Sequence, residues 1–234
     1  MERRGRSADL MDKPIVAWAT VGPFRQNSYV LGDPVTKDAV LVDPGDEPKA
    51  IEAVLEREGL TPRFILNTHA HIDHVGAVHH FQQKWKLPFY LHPGDRDWLE
   101  ALPLQGRMFD VPTSPIPHVD RWIADGETIA FGGKRIEVIH TPGHTPGGCC
   151  LLLRDDGILF TGDTIFAGSI GRTDFPGGSL EELLASIREK LFPLGDEVTF
   201  YSGHGPPSTL GKERRDNPFV GENATGSGRG KKYV

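Results

Sequence analysis

The sequence has very few cysteines. The two that it has, Cys149 and Cys150, are adjacent, and neighbouring cysteines rarely bridge each other because their Cα atoms are too close for relaxed disulfide geometry. A scaffold held by disulfides is therefore excluded, and a reducing compartment is expected. Because consecutive strand residues point to opposite faces of a sheet, we expect both thiols to be buried packing residues and not joint ligands of one metal.

The sequence also lacks a long apolar run and an excess of basic charge. No apolar stretch approaches the length of a membrane-spanning helix, and the N-terminal MERRGRSADLMDK has arginines without the apolar stretch of a secretory signal. We therefore expect a cytoplasmic protein without a membrane partner. The net charge of −6 gives no general basic field for nucleic acid. The apolar content of 38% and charged content of 25% are typical of a soluble globular protein.

Strand and helix patterns occur in the same order in two halves of the chain. The first half has predicted strands at 15–22, 27–33, 39–46, 63–68 and 87–92, with helices at 47–59, after the histidine cluster and at 94–102. The second half has predicted hairpins through Gly132-Gly133 and Asp156-Gly157, a helix at 179–192 with a capping box of Ser179 and Glu182, and a last strand at 197–205. This pattern indicates two α/β halves packed sheet to sheet with helices outside.

One domain over residues 14–219 is expected, with polar tails at 1–13 and 220–234. Within the domain, residues 103–122 show neither a helical nor a strand period and contain four prolines. A structureless segment of this length in a compact domain is usually functional or disordered. Because Met108, Phe109 and Ile116 argue against plain disorder, the hypothesis is a lid or a substrate-contact loop.

Seven possible metal ligands follow predicted strands. NTHAHIDHVGAVHH (67–80) contains five of the ten histidines. The candidate ligands are His69, His71, Asp73 and His74 in this segment, His144 in TPGHTPG, Asp163 at the end of ILFTGD, and His204 at the end of TFYSGH. Imidazole and carboxylate suit zinc, and also iron or manganese. Seven such residues can serve two ions that share one carboxylate, and a catalytic site keeps an open position for water.

The other five histidines are interpreted differently. A His-rich polar helix face is the alternative to metal binding, and it is the interpretation that we give to His79 and His80 on the following helix. His92, His118 and His140 are likewise expected to be solvated or packed side chains.

The motifs THAHIDH, TPGHTPG, FTGD and SGHG occur in the order found in the metallo-β-lactamase superfamily, which the chain resembles over roughly residues 14–219. The resemblance implies an α+β fold, an αββα sandwich with a binuclear site at one edge of its sheets. It also implies that one metal is held by His69, His71 and His144, the other by Asp73, His74 and His204, and that Asp163 bridges them. Two divalent ions, zinc foremost, would generate a hydroxide at neutral pH, with Asp73 as the catalytic residue that orients the water or accepts its proton.

Two further segments resemble the glyoxalase II-like branch, the hydroxyacylglutathione hydrolases of the short bacterial type. They are GSIGRTDFPGGS (168–179) and GHGPPSTLGKERRDNPF (203–219). The resemblance implies hydrolysis of a thioester such as S-D-lactoylglutathione, whose thiolate leaves readily because a thiol pKa is near 8.5. The cations that would bind such an anionic substrate are Arg172, Lys212 and Arg214, together with Arg215. The alternative for the last three is a solvated or ion-paired surface charge.

The chain departs from this branch at the glutathione-binding positions. A lysine and a tyrosine of the larger enzymes correspond to Arg172 and Asp174, and a second tyrosine corresponds to Pro206. Only thirty residues follow His204, so the C-terminal helical domain of those enzymes is not expected here.

Three other functions are considered. Persulfide dioxygenases share GRTDF and use one iron, here at His69, His144 and Asp163 by position, but they lack the SGHGPPSTLG ending; they rank second. A β-lactamase is disfavoured because no export signal is seen. An RNA-processing nuclease is disfavoured by the acidic balance.

Overall fold

The computed structural model describes residues 13–222 and residue 224. The expected N-terminal tail, apart from Lys13, and most of the expected C-terminal tail lie outside the described residues. Val220 and Gly221 are buried, and Val220 belongs to the apolar cluster around the last helix, so packed residues continue past the expected boundary at residue 219. Among the described residues, none of the helices has both the length and the apolar character needed to cross a membrane.

The first sheet contains six strands. Its order is β1 (Ile15–Val21), β2 (Gln26–Gly32), β3 (Asp38–Val42), β4 (Thr61–Leu66), β5 (Phe89–Leu91) and β6 (Arg121–Trp122). β1 to β3 pair antiparallel, and β3 to β6 pair parallel. The crossovers carry α1 (Pro48–Glu58), α2 (Ile72–Val75), α3 (Val78–Trp85), α4 (Arg96–Glu100) and α5 (Leu102–Phe109). Parallel pairing requires such crossovers, which place the helices against one face of the sheet.

The second sheet also contains six strands. Its order is β14 (Ser208–Thr209), β13 (Thr199–Ser202), β10 (Ile158–Gly162), β9 (Cys149–Leu153), β8 (Lys134–His140) and β7 (Thr128–Phe131), and a separate hairpin is formed by β11 (Ile165–Phe166) and β12 (Ser169–Ile170). β10 and β13 are parallel, and the other neighbours are antiparallel. The α-helices of this half are α6 (Leu180–Ala185), which continues as a π-helix over Ser186–Leu191, and α7 (Leu210–Asp216).

Successive side chains along each strand point to opposite faces of its sheet, and the apolar core is therefore divided into three layers. In β2 and β3, Val30 and Leu41 belong to the layer beneath the helices of the first half, whereas Leu31 and Val40 belong to the layer between the sheets. This is the period of two that a strand buried on both faces must satisfy. Four layers result, helix, sheet, sheet and helix, which is the expected αββα sandwich.

The two cysteines follow the same alternation. Cys149 belongs to the layer between the sheets, and Cys150 belongs to the layer under the helices of the second half. Both are buried free thiols, so the expectation of a packing role is confirmed. Burial raises the pKa of both thiols, to about 11 for Cys150.

The interpretation of residues 103–122 as a structureless segment is wrong for its first part. Residues 102–109 form α5, which has Pro103 in its first turn, where no intrahelical N–H bond is lost. The buried side of α5 includes Leu102, Gln105 and Gly106. Two of these three positions are not apolar, and so the helical period is hidden in the sequence. Residues 110–120 are irregular, and β6 then pairs with β5.

The predicted helix at 179–192 is present, but its cap differs from a complete capping box. The Ser179 hydroxyl accepts from the Glu182 N–H at 3.3 Å, as predicted. The Ser179 N–H donates to the Gly143 carbonyl at 2.8 Å, and not to the Glu182 side chain. A Cβ on Gly143 would lie 2.6 Å from Leu183 Cβ. The start of α6 is therefore packed directly on the loop that contains His144.

Replacing Leu183 by alanine tests this packing. Leu183 is fully buried, so Leu183→Ala is expected to lower the free energy of unfolding by about 2–5 kcal/mol through lost burial and cavity formation. Urea denaturation measures the change. The matched control is Leu180→Ala in the same helix, where 42% exposure predicts a change within about 0.5 kcal/mol. Equal losses for the two variants would contradict the packing described here.

Candidate metal centre

Four loops that follow strand ends meet at one edge of the sandwich. β4 is followed by the segment with His69, His71, Asp73 and His74, whereas β8, β10 and β13 are followed by the loops with His144, Asp163 and His204. The first sheet therefore supplies four of the seven predicted ligands and the second sheet supplies three. All seven are brought together, and none is left elsewhere on the chain.

Three histidines form the first group. One ring nitrogen from each of His69, His71 and His144 lies within 4.8 Å of the others. The closest pair is His71 Nδ1 and His144 Nε2, at 3.0 Å. All three residues are buried. This is a set of three imidazoles around one point, an arrangement suited to a first-row divalent ion.

The second group contains one carboxylate and two histidines. Ligand atoms of Asp73, His74 and His204 also lie within 4.8 Å of one another. Asp73 Oδ2 is 3.2 Å from His204 Nε2 and 3.8 Å from His74 Nε2. Asp73 is the most exposed of the three, at 17% of its side chain, so it borders the cavity in front of the site.

Asp163 lies between the two groups. Its Oδ1 is 3.3 Å from His74 Nε2, and its Oδ2 is 3.5 Å from His204 Nε2 and 3.7 Å from His144 Nε2. One carboxylate thus reaches histidines of both groups. This is the position that a bridging ligand between two ions requires.

The donor atoms of this site fit a bound cation. Six buried side-chain atoms have no hydrogen-bond partner among the described residues. Two of them are Asn67 Oδ1 and Arg214 Nε, and the other four are His69 Nε2, His71 Nε2, His74 Nε2 and Asp163 Oδ1. Buried polar atoms are nearly always paired, because an unpaired one carries its full desolvation cost. Four of the six belong to the predicted ligand set, and divalent ions would supply partners for His69 Nε2, His74 Nε2 and Asp163 Oδ1.

The three histidines of the first group favour the neutral form that metal binding requires. Burial lowers the pKa of His69 and His71 well below the usual value, and neighbouring imidazoles act in the same direction. Burial also lowers the pKa of His144. Neutral imidazole is the form that binds a metal, so these three rings lose no proton when a cation arrives.

The second group is dominated by carboxylates. Burial opposes the charged form of His74, but Asp163, Asp73 and Asp43 outweigh it and raise the pKa of His74 well above its usual value. Burial likewise opposes a charge on His204, yet Asp163 and Asp73 raise its pKa to about 10. The excess negative charge at this end of the site is what a divalent cation would neutralise.

Asp43 orients a predicted ligand and was not singled out from the sequence. Its Oδ2 pairs with His74 Nδ1 at 2.9 Å and accepts from the Thr68 hydroxyl at 2.7 Å, while its Oδ1 accepts from the Thr68 N–H at 2.7 Å. The Thr68 hydroxyl is also 3.0 Å from His69 Nδ1. Asp43 comes directly after β3 in LVDPGD, so the strand-end rule that located the seven ligands could have located it as well.

Asp95 joins two ligand loops and was also missed. Its Oδ2 accepts from the Ala70 N–H and the Thr145 hydroxyl, both at 2.9 Å, and its Oδ1 accepts from the Gly147 N–H at 2.6 Å. Ala70 lies between His69 and His71, and Thr145 follows His144. Burial raises the pKa of Asp95 to about 6, although the three hydrogen bonds favour its charged form. No sequence pattern pointed to this residue.

A cavity of about 180 Å³ opens onto both groups. It is lined by Phe24, His71, Ile72, Asp73, Gln105, Phe109, His144, Asp163, Arg172, Phe175 and His204. The Arg172 guanidinium lies 3.8 Å from the centre of the Phe175 ring and is held by Asp174 through two hydrogen bonds of 2.7 Å. Arg172 is therefore placed at the cavity, as expected of a substrate contact, but its charge is already paired.

Lys212 and Arg214 do not line this cavity. Lys212 lies 3.7 Å from Glu213, and Arg214 pairs with Asp196 at 2.7 Å. Their position follows from the inward direction of Glu213, which accepts from the Gly168 N–H and the Ser208 hydroxyl. The cations of α7 are left on its exposed sides, where Lys212 and Arg214 take part in ion pairs, and their contact with substrate stays a prediction.

The five remaining histidines stay outside the site. None of them belongs to a metal-capable group within the described part of the chain. His80 pairs with Glu52 at 2.8 Å, and His92 stacks on His140 with ring centroids 4.2 Å apart. His79 is partly buried on α3, and His118 is exposed.

Asp43→Asn is expected to weaken metal binding by roughly 10-fold to 100-fold, as removal of a carboxylate that orients a ligating histidine typically does. The amide can no longer accept from both Thr68 and His74. Competition with a chromophoric chelator measures the affinity. Asp38→Asn, at a surface ion pair with Arg63, is the control and should leave the affinity unchanged. Unaltered affinity in Asp43→Asn would refute the orienting role.

Gly203→Ala is expected to deplete the site without unfolding the chain. A Cβ on Gly203 would overlap Asp163 Oδ1 and lie 2.6 Å from His74 Cε1. The backbone cannot move away readily, because the Gly203 carbonyl accepts from Asn27 and its N–H donates to Gly162. Elemental analysis should show loss of about one ion or more per chain, with normal circular dichroism. Gly133→Ala, outside the site, serves as control; a fully loaded Gly203→Ala protein would contradict the geometry.

Solved structures share this fold over most of the chain. The crystal structure of the BLEG-1 B3 metallo-beta-lactamase has a TM-score of 0.82 at 40% identity, covering 88% of this chain and 99% of that one. TTHA1623, crystallised in a di-iron-bound form, has a TM-score of 0.80 at 38% identity, covering 88% and 100%. ETHE1 from Myxococcus xanthus has a TM-score of 0.74 at 26% identity, covering 88% and 84%.

Curated relatives are similar over nearly their whole length. A probable metallo-hydrolase of Bacillus subtilis, YqgX, is 40% identical over 205 residues, which are 86% of this chain and 94% of the relative. The hydroxyacylglutathione hydrolase GloC of Haemophilus influenzae is 39% identical over 202 residues, or 86% and 95%. The profile of the metallo-beta-lactamase superfamily matches residues 21–204, a range that includes all seven ligand candidates. The chain therefore belongs to the metallo-β-lactamase superfamily.

Proposed function

We propose that this protein is a metal-dependent hydrolase that cleaves a thioester, with a hydroxyacylglutathione as the substrate class. The observation that carries the proposal is the pair of ligand groups joined by Asp163, which opens onto a cavity bordered by Asp73 and Arg172. We propose that His69, His71 and His144 hold one divalent ion, that Asp73, His74 and His204 hold the other, and that both are zinc, with iron or manganese as alternatives.

The residues around the cavity divide the work of hydrolysis. When bound, the ions would lower the pKa of a water molecule toward 7. Asp73 orients that water or accepts its proton, since its carboxylate reaches the cavity and is fixed by His204 at 3.2 Å. No separate acid is needed for the departing sulfur, because a thiolate is a good leaving group near neutral pH.

The proposed substrate class is supported by one relative and by one side chain. The relative is GloC of Haemophilus influenzae, whose name gives the hydroxyacylglutathione activity. The side chain is Arg172, which keeps a cation beside the cavity. Asp174 offsets that charge, and Pro206 stands where a glutathione-binding tyrosine is expected, so the chain offers less free positive charge and one hydrogen-bond donor fewer for glutathione than the larger enzymes.

A persulfide dioxygenase is the second candidate. It is favoured by the likeness to ETHE1 of Myxococcus xanthus and by the GRTDF segment around Arg172. This function would use one iron at His69, His144 and Asp163, and it would consume oxygen. The two functions are thus separable by metal count and by product.

The decisive experiment follows thiol release from S-D-lactoylglutathione and counts metals in the same preparation. About two ions per chain with thiol release is the expected result. His71→Ala is expected to lose turnover by at least about 10³-fold together with bound metal, whereas His118→Ala, at an exposed histidine outside the site, should match the native protein.

Two parallel measurements identify the alternatives. Oxygen uptake with glutathione persulfide and a single iron would replace the hydrolase by the dioxygenase. Opening of a β-lactam is assayed as well, because one structural neighbour is named a metallo-beta-lactamase. Thiol release that persists in His71→Ala would refute the proposed site.

A further inference from the structure

A second cavity lies next to the one in front of the ligand groups. It is a groove of about 370 Å³ whose apolar lining is Trp98, Ala101, Leu104, Met108, Pro146 and Pro176. We call it the apolar groove. Gln105 lines both the groove and the metal-bearing cavity, so the two spaces are neighbours on the same surface.

Helix α5 separates the two spaces and presents a different row of side chains to each. Gln105 and Phe109, four residues apart, line the metal-bearing cavity. Leu104 and Met108, also four residues apart, line the groove and are 52% and 61% exposed. An exposed helix face is normally polar, and apolar residues that recur on it at helical spacing indicate a surface that binds something.

The groove begins one aromatic ring away from a predicted ligand. The Trp98 ring lies edge-on to His71, with centroids 4.6 Å apart, and the same ring lines the groove. On the other side, Phe175 lines the metal-bearing cavity and the next residue, Pro176, lines the groove. Trp98 and Phe175 are themselves in contact, with centroids 5.9 Å apart. A substituent that leaves the cavity past these rings enters the groove.

The volume of the metal-bearing cavity favours such an extension. Its 180 Å³ is below the roughly 300–1,000 Å³ that ligand pockets usually have. The cavity and the groove together fall within that range. A substrate larger than this cavity therefore needs neighbouring space, and the groove, at about 370 Å³, is larger than the cavity of about 130 Å³ that shares Phe24, Ile72 and Asp73 with the metal-bearing cavity.

The charged residues that line the two spaces indicate which kind of substituent the groove can bind. Asp97 is the only charged side chain that lines the groove, and Arg172 is the only lysine or arginine that lines either space, among the residues described. Arg172 is held by Asp174. The groove has no basic side chain for a carboxylate, whereas it has tryptophan, leucine, methionine and proline surfaces for a hydrocarbon chain.

We propose that the apolar groove binds the acyl chain of the thioester, and that the preferred substrates carry a linear acyl group longer than lactoyl. This inference rests on the proposed thioester hydrolysis and names the acyl class that it favours. The reacting carbonyl would lie between Asp73 and His144, and the chain would pass Trp98 toward Leu104 and Met108.

The test uses glutathione thioesters of saturated acids from acetyl to decanoyl with the metal-loaded protein. kcat/KM for thiol release is expected to rise roughly twofold to fourfold per methylene until the groove is filled. In Leu104→Glu, the ratio of decanoyl to acetyl kcat/KM should fall by about tenfold or more, because a carboxylate must be desolvated by the chain. Val35→Glu introduces the same charge at another exposed aliphatic residue and should keep the native ratio.

A binding measurement separates this inference from the proposed activity. S-methyl, S-butyl and S-octyl glutathione are thioethers that cannot be hydrolysed, and their affinities are compared by calorimetry. The S-octyl compound should bind at least about tenfold more tightly than the S-methyl compound, and Leu104→Glu should abolish that gain.

Three results would overturn the inference. One is hydrolysis of short thioesters with no gain for longer chains, which would leave the proposed function intact. Another is equal affinity for all three thioethers. The third is a native dimer in sedimentation that Leu104→Glu dissociates without changing acyl preference, which would assign the groove to a second copy of this chain. Absence of hydrolysis at every chain length, with tighter S-octyl binding, would contradict the thioester activity and retain an apolar binding site.

Discussion

The face-to-face packing of the two sheets is the contact on which the metal centre depends. Four predicted ligands follow a strand of the first sheet and three follow strands of the second, so neither sheet holds a complete site. The layer between the sheets contains Leu31, Val40, Leu66, Leu151 and Phe160, all nearly free of solvent contact. Close packing of this layer fixes the distance between the strand ends. The ångström-scale separations between Asp163 and the histidines of both groups follow from it.

Buried carboxylates outside the ligand set fix the positions of the ligand loops and the orientations of their side chains. Asp43 holds His74 and Thr68, and Asp95 joins the segment around Ala70 to the loop around Thr145. Each carboxylate receives three hydrogen bonds, which offset the cost of its burial. Ligands supported in this way keep their orientation before a metal binds, which is the preorganisation that a catalytic metal site needs.

The same edge of the fold also determines what can reach the site. α5 lies beside the ligand loops with one row of side chains toward the metal-bearing cavity and another toward the apolar groove. Arg172 is neutralised by Asp174, so charge contributes little to selection there. Under the proposed function, apolar surface area would then be the larger source of discrimination between substrates, and most of it would come from Trp98, Leu104 and Met108, which lie outside the family motifs.

The sequence by itself determined the set of candidate metal ligands and the order of the secondary-structure elements. Strand periods, the His-rich segment and the strand-end positions of His144, Asp163 and His204 are local features, and local features can be read from spacing. The resemblance to the metallo-β-lactamase superfamily rested on those same residues, and the αββα sandwich agrees with it. The helix at 102–109 was missed because its buried side includes Gln105 and Gly106, whose burial depends on neighbours distant in the chain.

Only the tertiary structure decided which charged residues reach the site. Lys212 and Arg214 follow His204 closely in sequence, yet the inward position of Glu213 leaves them on the surface. Asp95 is far in sequence from both loops that it joins. The groove beside Trp98 likewise exists only because Pro146, Met108 and Pro176 are brought together from three separate segments. A sequence specifies which groups are available, whereas long-range packing fixes the directions in which they point, because those directions depend on contacts between residues that no local pattern relates.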